Sequence, residues 1–207
     1  IPVSLDYGSI ALYAFEPCKT GVERHGRVIT MQPDNARNIT GWNVTVTSWT
    51  PGDGIDTRTE MLNGKTVTES AVQTVKTEIP VQLDTLTTWD NMPGVGLDVV
   101  GRAEYNASFT WDGTADGAYI DFGKVVESMR VYINDAEVSG VSMTSGLLDV
   151  TDVLTVGKNT IRIVYSSNVS NALGDGVPRG WYGYHTEKHS YGPSQAVLIP
   201  YTVTKAE

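Results

Sequence analysis

A run of short segments in which apolar and polar residues alternate constrains the fold more than any other feature of this sequence. It extends over residues 101–171, and each segment stops at a turn signal such as Asn134-Asp135 or Gly157-Lys158-Asn159. Successive side chains of a β-strand point to opposite faces, so a period of two is typical of strands that are buried on one face. The pattern therefore predicts a series of antiparallel strands.

Each predicted strand has one row of apolar residues that we expect to face a common core. These rows are Trp42, Val44 and Val46; Tyr105, Ala107 and Phe109; Ala118, Ile120 and Phe122; Val131 and Ile133; and Ile161, Ile163 and Tyr165. A last strand is predicted over residues 196–203, and no segment has the repeat of an amphipathic helix. Strands at this spacing predict an all-β, antiparallel β-sandwich.

Three stretches depart from this pattern. Residues 3–15 read as two short strands, and residues 32–41 are polar and rich in turn formers, as in a linker. Residues 56–78 are rich in Thr and weakly patterned, with Asn63-Gly64 as a hairpin-type turn, and we interpret them as an insertion. With 207 residues, the chain has room for one large β domain, or for one domain with an appended fragment.

Composition narrows the choice of partner. The formal net charge is -9 and no run of Lys or Arg occurs, so we expect neither nucleic acid nor an anionic membrane surface as a partner. No apolar run is long enough to cross a bilayer. The chain begins Ile1-Pro2-Val3 without Met or a signal peptide, which favours a mature or excised segment of a longer protein.

Residues that could be modified or cross-linked are few. Cys18 is the single cysteine, so an internal disulfide is excluded. Four Asn-x-Ser/Thr sites occur where chance gives about two, which is weak evidence for a glycosylated secreted protein, and strand or turn roles are the favoured interpretation. They lie at Asn38, Asn43, Asn106 and Asn168.

Catalytic chemistry finds little support in the sequence. Two groups of carboxylates stand out, Asp112, Asp116 and Asp121 in one and Asp149 and Asp152 in the other. Glycoside hydrolysis needs two carboxyls on opposite sides of a bound sugar, whereas Asp next to Gly and Thr is typical of turns that cap backbone N–H groups. We favour the turn interpretation, and Cys18 with His25 lacks the context of a nucleophilic site.

Metal ligands are weakly indicated. His185 and His189 have the i, i+4 spacing that places two rings on one face of a helix, but Gly183 and Gly192-Pro193 flank the segment and argue against a helix. No cofactor is expected. A structural calcium ion held by Asp and carbonyl oxygens stays open, and the sequence does not select its ligands.

The strongest candidate for a binding site is the long aromatic loop between Asn171 and Pro193. Trp and Tyr rings stack on the apolar faces of sugars, while Arg, His and other polar groups bond their hydroxyls. The alternative is that these aromatic residues pack the loop onto its own sandwich or onto a neighbouring domain. The candidate carbohydrate-binding residues are Arg179, Trp181, Tyr182, Tyr184, His185 and His189.

Several motifs also occur in the order found in a known protein family. They are GWNVTVTSW (41–49), LTTWD (86–90), VVGRAEYNASF (99–109), GAYIDFG (117–123), VYIN (131–134), LDVTDVL (148–154) and GKN (157–159), with YGP (191–193) and LIPY (198–201) at the end. On these motifs, the chain resembles the C-terminal β-sandwich of glycoside hydrolase family 106-like proteins, the α-L-rhamnosidase group. It is more distantly similar to the sugar-binding domain of glycoside hydrolase family 2.

The resemblance implies a galactose-binding-like jelly roll over residues 38–207. Residues 1–37 would then be an N-terminal β segment and linker, the remnant of a preceding domain. The implied function is a non-catalytic carbohydrate-binding or accessory domain of a large secreted glycoside hydrolase, whose catalytic residues lie in a separate domain. Its partner would be a carbohydrate or that catalytic domain, and its location secreted or cell-surface. A structural or adhesive surface module without sugar binding is the alternative.

Overall fold

The chain folds into two antiparallel β-sheets that enclose one apolar core. The computed structural model describes residues 27–138, 146–173 and 188–205. Its strands are β1 (Arg27–Met31), β2 (Arg37–Asn38), β3 (Trp42–Leu62), β4 (Lys65–Leu83), β5 (Gly101–Trp111), β6 (Gly117–Asp121), β7 (Ser128–Ile133), β8 (Ala136–Val138), β9 (Leu147–Asp149), β10 (Gly157–Ser166) and β11 (Val197–Lys205). The predicted all-β, antiparallel sandwich is confirmed.

The larger sheet has six strands in the order β4-β3-β5-β10-β7-β8. The smaller sheet has the order β1-β11-β6-β9, with β2 pairing to β11 as well. One helical turn of α type, α1 (Ser170–Leu173), and short 3-10 turns lie between strands. Within the described part of the chain, no helix has the length and apolar character needed to cross a bilayer.

The core is built by the rows that the alternating pattern predicts. Val46, Ile120, Ile133 and Ile163 are fully buried and come from both sheets, and neighbouring positions on their strands face outward. Burial of such side chains is worth about 1.5–3 kcal/mol each. The burial of Trp42 in the same core is possible because its indole N–H donates to the carbonyl oxygen of Ile39 at 2.8 Å.

The stretch before Trp42 belongs to the smaller sheet. β1 pairs with β11 from Arg27 opposite Lys205 to Met31 opposite Tyr201, and β2 pairs with the start of β11. Residues 27–37, which the sequence assigns to a separate N-terminal segment, thus share a sheet with the sandwich. The predicted division at residue 37 and the remnant of a preceding domain stay predictions, because residues 1–26 lie outside the described residues.

The Thr-rich stretch interpreted as an insertion is a long β-hairpin. Pairing of β3 with β5 ends at Ser48, whereas pairing of β3 with β4 continues to the turn at Asn63-Gly64. Both turn residues have positive φ, 51° and 76°, as a two-residue hairpin turn requires. We call residues 49–76 the arm. Beyond a register shift between Pro51 and Ile55, its residues are exposed apart from a half-buried Val67.

Candidate functional site

The predicted aromatic loop falls largely outside the described part of the chain. Arg179, Trp181, Tyr182, Tyr184 and His185 are not among the described residues, so their grouping stays a prediction. His189 is described and its side chain is exposed. The structure therefore defines the two ends from which this loop starts and to which it returns.

The buried side chain of Asn171 joins those two ends. The amide nitrogen of Asn171 donates to the carbonyl oxygens of His189 and of Leu97, each at 2.7 Å, and its oxygen accepts from the His189 backbone N–H at 2.9 Å. Next to it, the ammonium of Lys188 lies 2.7 Å from a carboxylate oxygen of Asp98. The base of the loop is thus fixed to the sandwich by part-buried hydrogen bonds and by an ion pair.

Below this base lies a cluster of buried aromatic rings. Trp89 makes edge-on contacts with Tyr165 and Tyr191 at centroid distances of 5.4 and 6.0 Å, and its indole N–H donates to the Tyr105 hydroxyl at 2.7 Å. Burial raises the pKa of both Tyr105 and Tyr165 well above the ordinary tyrosine value. These rings are packed in the core, so they act as a support and offer no stacking face to a ligand.

The carboxylates considered for catalysis are mostly engaged in turns. Asp121 and Asp149 accept from backbone N–H groups two residues ahead, at 2.8 and 3.0 Å. Asp112 does the same, and the hydrogen bonds from the Thr114 backbone and hydroxyl hold its pKa below the usual range. Asp116 accepts from the Val203 N–H at 2.7 Å. This agrees with the turn interpretation made from the sequence.

The described residues contain no cluster of side chains suited to a metal ion. Within residues 27–138, 146–173 and 188–205, no group of three His, Cys, Asp or Glu side chains could hold a metal ion. The pairing of His185 with His189 cannot be placed, because His185 lies outside those ranges. A structural calcium ion also stays a prediction.

Several concave regions occur among the described residues. One, which we call the end cleft, has a volume of about 820 Å³ beside Asp149, Thr151 and Tyr201. Part of its polar lining is bonded internally, since the Thr151 hydroxyl contacts the Tyr201 hydroxyl at 2.9 Å and the Asp149 carboxylate at 2.7 Å. Its other polar lining is mostly charged and comprises Arg27, Asp116, Glu137, Asp152, Thr204 and Lys205.

The second region crosses the outer face of the six-stranded sheet, and we call it the sheet groove. Its volume is about 520 Å³. Register pairing aligns one outward-facing residue from each strand, in the order Gln82, Asn43, Asn106, Arg162, Tyr132 and Glu137. With strands about 4.8 Å apart, this row is roughly 24 Å long. Asn43, Asn106, Tyr132 and Arg162 line the groove, and Ser108, Asp135 and Thr160 lie beside them.

Most polar groups of the sheet groove are uncharged and available. Among the described residues, the side chains of Asn43, Ser108 and Thr160 take part in no hydrogen bond, and Asn106 makes one, to Glu104 at 3.2 Å. Amides and hydroxyls both donate and accept, which is the chemistry that sugar hydroxyls require. The groove can therefore bind an uncharged polyhydroxyl ligand without displacing internal hydrogen bonds of these three side chains.

The sequence does not predict this groove. Asn43, Asn106 and Arg162 come from three strands far apart along the chain, and only the register of the sheet brings them into one row. The sequence shows only that each of these residues is a polar position between two residues of a buried row. Arg162, for example, lies between Ile161 and Ile163. Two of the Asn-x-Ser/Thr sites noted in the sequence, at Asn43 and Asn106, turn out to be neighbours in this row.

Comparison with known proteins bears on the fold. No protein-family model matches the chain, and no curated protein matches it significantly. Among solved structures, a rhamnosidase from Novosphingobium sp. PP1Y matches over 87% of this chain and 16% of its own, with a TM-score of 0.50 and 17% identity. The sandwich shares its fold with part of that rhamnosidase.

Two further structures match with lower TM-scores. An FMN-binding beta-glucuronidase from Facaelibacterium prausnitzii L2-6 has a TM-score of 0.42 and 14% identity, over 85% of this chain and 23% of its own. A GH2 beta-galacturonidase from Eisenbergiella tayi has a TM-score of 0.38 and 16% identity, over 87% and 25%. The chain thus spans about a quarter or less of the proteins that it matches here. Membership of glycoside hydrolase family 106 stays a prediction.

Proposed function

We propose that this chain is a carbohydrate-binding accessory domain of a larger glycoside hydrolase, and that it binds glycan in the sheet groove. The observation that carries the proposal is the set of amides and hydroxyls that line the sheet groove, most of which make no internal hydrogen bond. Secretion or display at the cell surface goes with this proposal, because polysaccharide substrates are met there.

Three features support the groove as a glycan site. It is concave and of ligand size, since binding pockets measure about 300–1,000 Å³. Its strands are held rigid by their neighbours in the sheet, so little side-chain and backbone ordering opposes binding. Its lining comes from residues of four neighbouring strands, β3, β5, β10 and β7, a span that suits a chain of sugars better than a single small molecule.

The aromatic loop is a second carbohydrate-binding surface in this proposal. Its candidate contacts are Arg179, Trp181, Tyr182, Tyr184, His185 and His189. The hydrogen bonds between Asn171 and the His189 backbone support this role, because a loop whose ends are already fixed loses less entropy when it binds a ligand.

Calorimetric titration with neutral and acidic oligosaccharides tests the groove. We expect binding with a dissociation constant in the range of about 10 μM to 1 mM, the order given by a few exposed hydrogen bonds. The double variant Asn43→Ala/Asn106→Ala removes two amides from the row and is expected to weaken binding at least about tenfold. Asn35→Ala, on an exposed turn away from the groove, is the matched control.

The outcomes separate the two surfaces. Binding that survives the groove variant but is lost in Trp181→Ala assigns the glycan to the aromatic loop. The absence of heat with every oligosaccharide at millimolar concentration contradicts carbohydrate binding altogether, and favours the second candidate function.

That second candidate is bracing of an adjacent catalytic domain, and one observation favours it. An apolar patch lies on the outer face of the smaller sheet, next to Asp121 and Asp149: Ile29 and Met31 are 46% and 42% exposed, and Val197, Ile199 and Val203 are partly buried on the same side. We call this the apolar face. Because the chain spans only 16% of the rhamnosidase that shares its fold, a neighbouring domain of the same polypeptide is the occupant that we propose.

A further inference from the structure

The sheet groove contains one cation whose charge is not neutralised. Arg162 is half-buried at the middle of the row, between Asn106 on β5 and Tyr132 on β7. The ion pairs of the described residues join Arg37 to Asp112, Arg58 to Glu60, Arg130 to Glu137 and Lys188 to Asp98, and none includes Arg162.

The carboxylates around Arg162 do not serve as its partners. Glu104 accepts a hydrogen bond from Asn106 at 3.2 Å, and Glu137 lies 3.9 Å from the guanidinium of Arg130. Asp135 lies at the groove but forms no ion pair within the part of the chain that the structure describes. The guanidinium of Arg162 therefore has no ion-pair partner among the described residues, although acidic residues lie close by.

Tyr132 holds this cation in a defined position. The guanidinium carbon of Arg162 lies 3.9 Å from the centre of the Tyr132 ring, a stacked cation–π contact. Stacking leaves the in-plane N–H groups of the guanidinium free, and a planar fork of this kind matches the two oxygens of a carboxylate. Because the ring restrains the long side chain in advance, less rotamer entropy is lost when a ligand binds.

We infer that the sheet groove binds a glycan in which a uronic acid residue contacts Arg162 through its carboxylate and neutral sugars occupy the positions on either side. The inference rests on the proposed function and names its ligand class. The next positions along the row carry Asn106 and Asn43, which are uncharged. A single cation with amides on one side and Tyr132 on the other suits one isolated carboxylate, whereas the net charge of -9 disfavours a continuous polyanion.

The test compares two ligands that differ in one group. A neutral oligosaccharide with one internal glucuronic or galacturonic acid is titrated against its carboxyl-reduced counterpart, in which the acid is a primary alcohol. We expect the acid form to bind at least about tenfold more tightly at low salt, as for a hydrogen bond to a charged group, and the difference to shrink as salt rises.

Variants assign the effect to Arg162. The Arg162→Gln variant is expected to bind the acid and the reduced ligand with affinities that agree to within about twofold. Both affinities should be close to the affinity of the unaltered protein for the reduced ligand. Arg130→Gln lies on the same sheet face and is the control; it is expected to keep the preference for the acid. Far-UV circular dichroism and thermal unfolding of both variants establish that the fold is retained.

Each remaining outcome has a defined meaning. Equal binding of the acid and reduced ligands by the unaltered protein overturns the uronate inference and leaves the proposed carbohydrate binding intact. A failure of both ligands and of all neutral glycans contradicts the proposed function as well. Tighter binding of a matched sulfated oligosaccharide than of the carboxylated one also overturns the inference, and identifies Arg162 as a sulfate contact.

Discussion

The side-chain amide of Asn134 donates a hydrogen bond to the side-chain oxygen of Asn159 across 2.8 Å, and this contact links the β7–β8 turn to the beginning of β10. Asn134 also accepts from the Thr160 N–H at 3.0 Å, and Asn159 donates to the Thr155 carbonyl at 2.7 Å. Asn134 has φ of 50°, a conformation that Asn tolerates better than most residues. The pair fixes one end of the sheet groove, where Asp135 and Thr160 lie.

Replacement of Asn159 by Ala is expected to lower the free energy of unfolding by about 2–4 kcal/mol, because it leaves buried partners of the amide without hydrogen bonds. Urea denaturation followed by circular dichroism measures this. Asn35→Ala, at an exposed turn, is the control and is expected to cost under about 0.5 kcal/mol. A loss in Asn159→Ala no larger than in the control contradicts the role assigned to the pair.

The arm is expected to be dispensable for the fold. If residues 56–71 are replaced by Asn-Gly, the pair Ile55–Val72 flanks the new turn as Leu62 and Lys65 flank the native one. We expect the Tm to change by less than about 3 °C, or under about 1 kcal/mol, since the removed residues pair only with each other. Differential scanning calorimetry measures the Tm of both proteins.

A substitution in the part of β3 that pairs with β5 serves as the comparison for shortening the arm. Val46→Ala alters a fully buried residue of β3 and is expected to lower the Tm clearly, since loss of buried methyl groups from a core costs about 0.5–1.5 kcal/mol or more. A large fall in Tm on shortening the arm would show that it carries part of the stability of the sandwich.

The buried tyrosines are expected to lower the free energy of unfolding at alkaline pH. The pKa of Tyr105 is raised above its ordinary value of 10.0, first of all by burial. Above pH 10 the unfolded chain releases a proton that the folded chain keeps, so the free energy of unfolding falls as pH rises; below pH 10 this group contributes no slope. Tyr105 alone accounts for about 1.4 kcal/mol per pH unit in that window.

Tyr105→Phe provides the measurement. Removal of the hydroxyl is expected to cost about 1 kcal/mol at neutral pH through the lost hydrogen bond from Trp89, and to reduce the steepness of the decline above pH 10. Urea denaturation at a series of pH values gives both quantities. Equal slopes for the variant and the unaltered protein would contradict a raised pKa of Tyr105 in the folded state.

The apolar face is expected to drive self-association when no other domain covers it. The double variant Ile29→Lys/Met31→Lys places two charges there and is expected to raise the concentration at which oligomers form by tenfold or more, read by sedimentation velocity. Val28→Lys is the control, because Val28 is 47% exposed on the same strand but on the opposite face. Equal behaviour of both variants contradicts a docking role for the apolar face.

The strands were predictable because their signal is local. Ile161 and Ile163, or Val44 and Val46, reveal a buried row through the period of two alone, and Asn134-Asp135 reveals a turn through the tolerance of these residues for positive φ. The arm gives no such signal, because almost all its residues on both faces are exposed, so nothing selects an alternation of apolar and polar residues.

The groove depends on information that a single sequence does not contain. Strand register places Asn106 directly opposite Arg162, and a shift of two residues along the strand would separate them. This register follows from the packing of the buried faces. The aromatic loop was the more visible candidate because its residues are adjacent in sequence. Sequence reading thus favours sites built from one segment over sites built across a sheet.

The most direct test of glycan binding in the sheet groove is chemical-shift mapping of backbone amides by nuclear magnetic resonance during titration with an oligosaccharide that contains a uronic acid. The account predicts progressive, saturable shifts at Asn43, Asn106, Thr160 and Arg162, with little change along the arm. Shifts confined to residues 171–193, or no shifts at millimolar ligand, would contradict it.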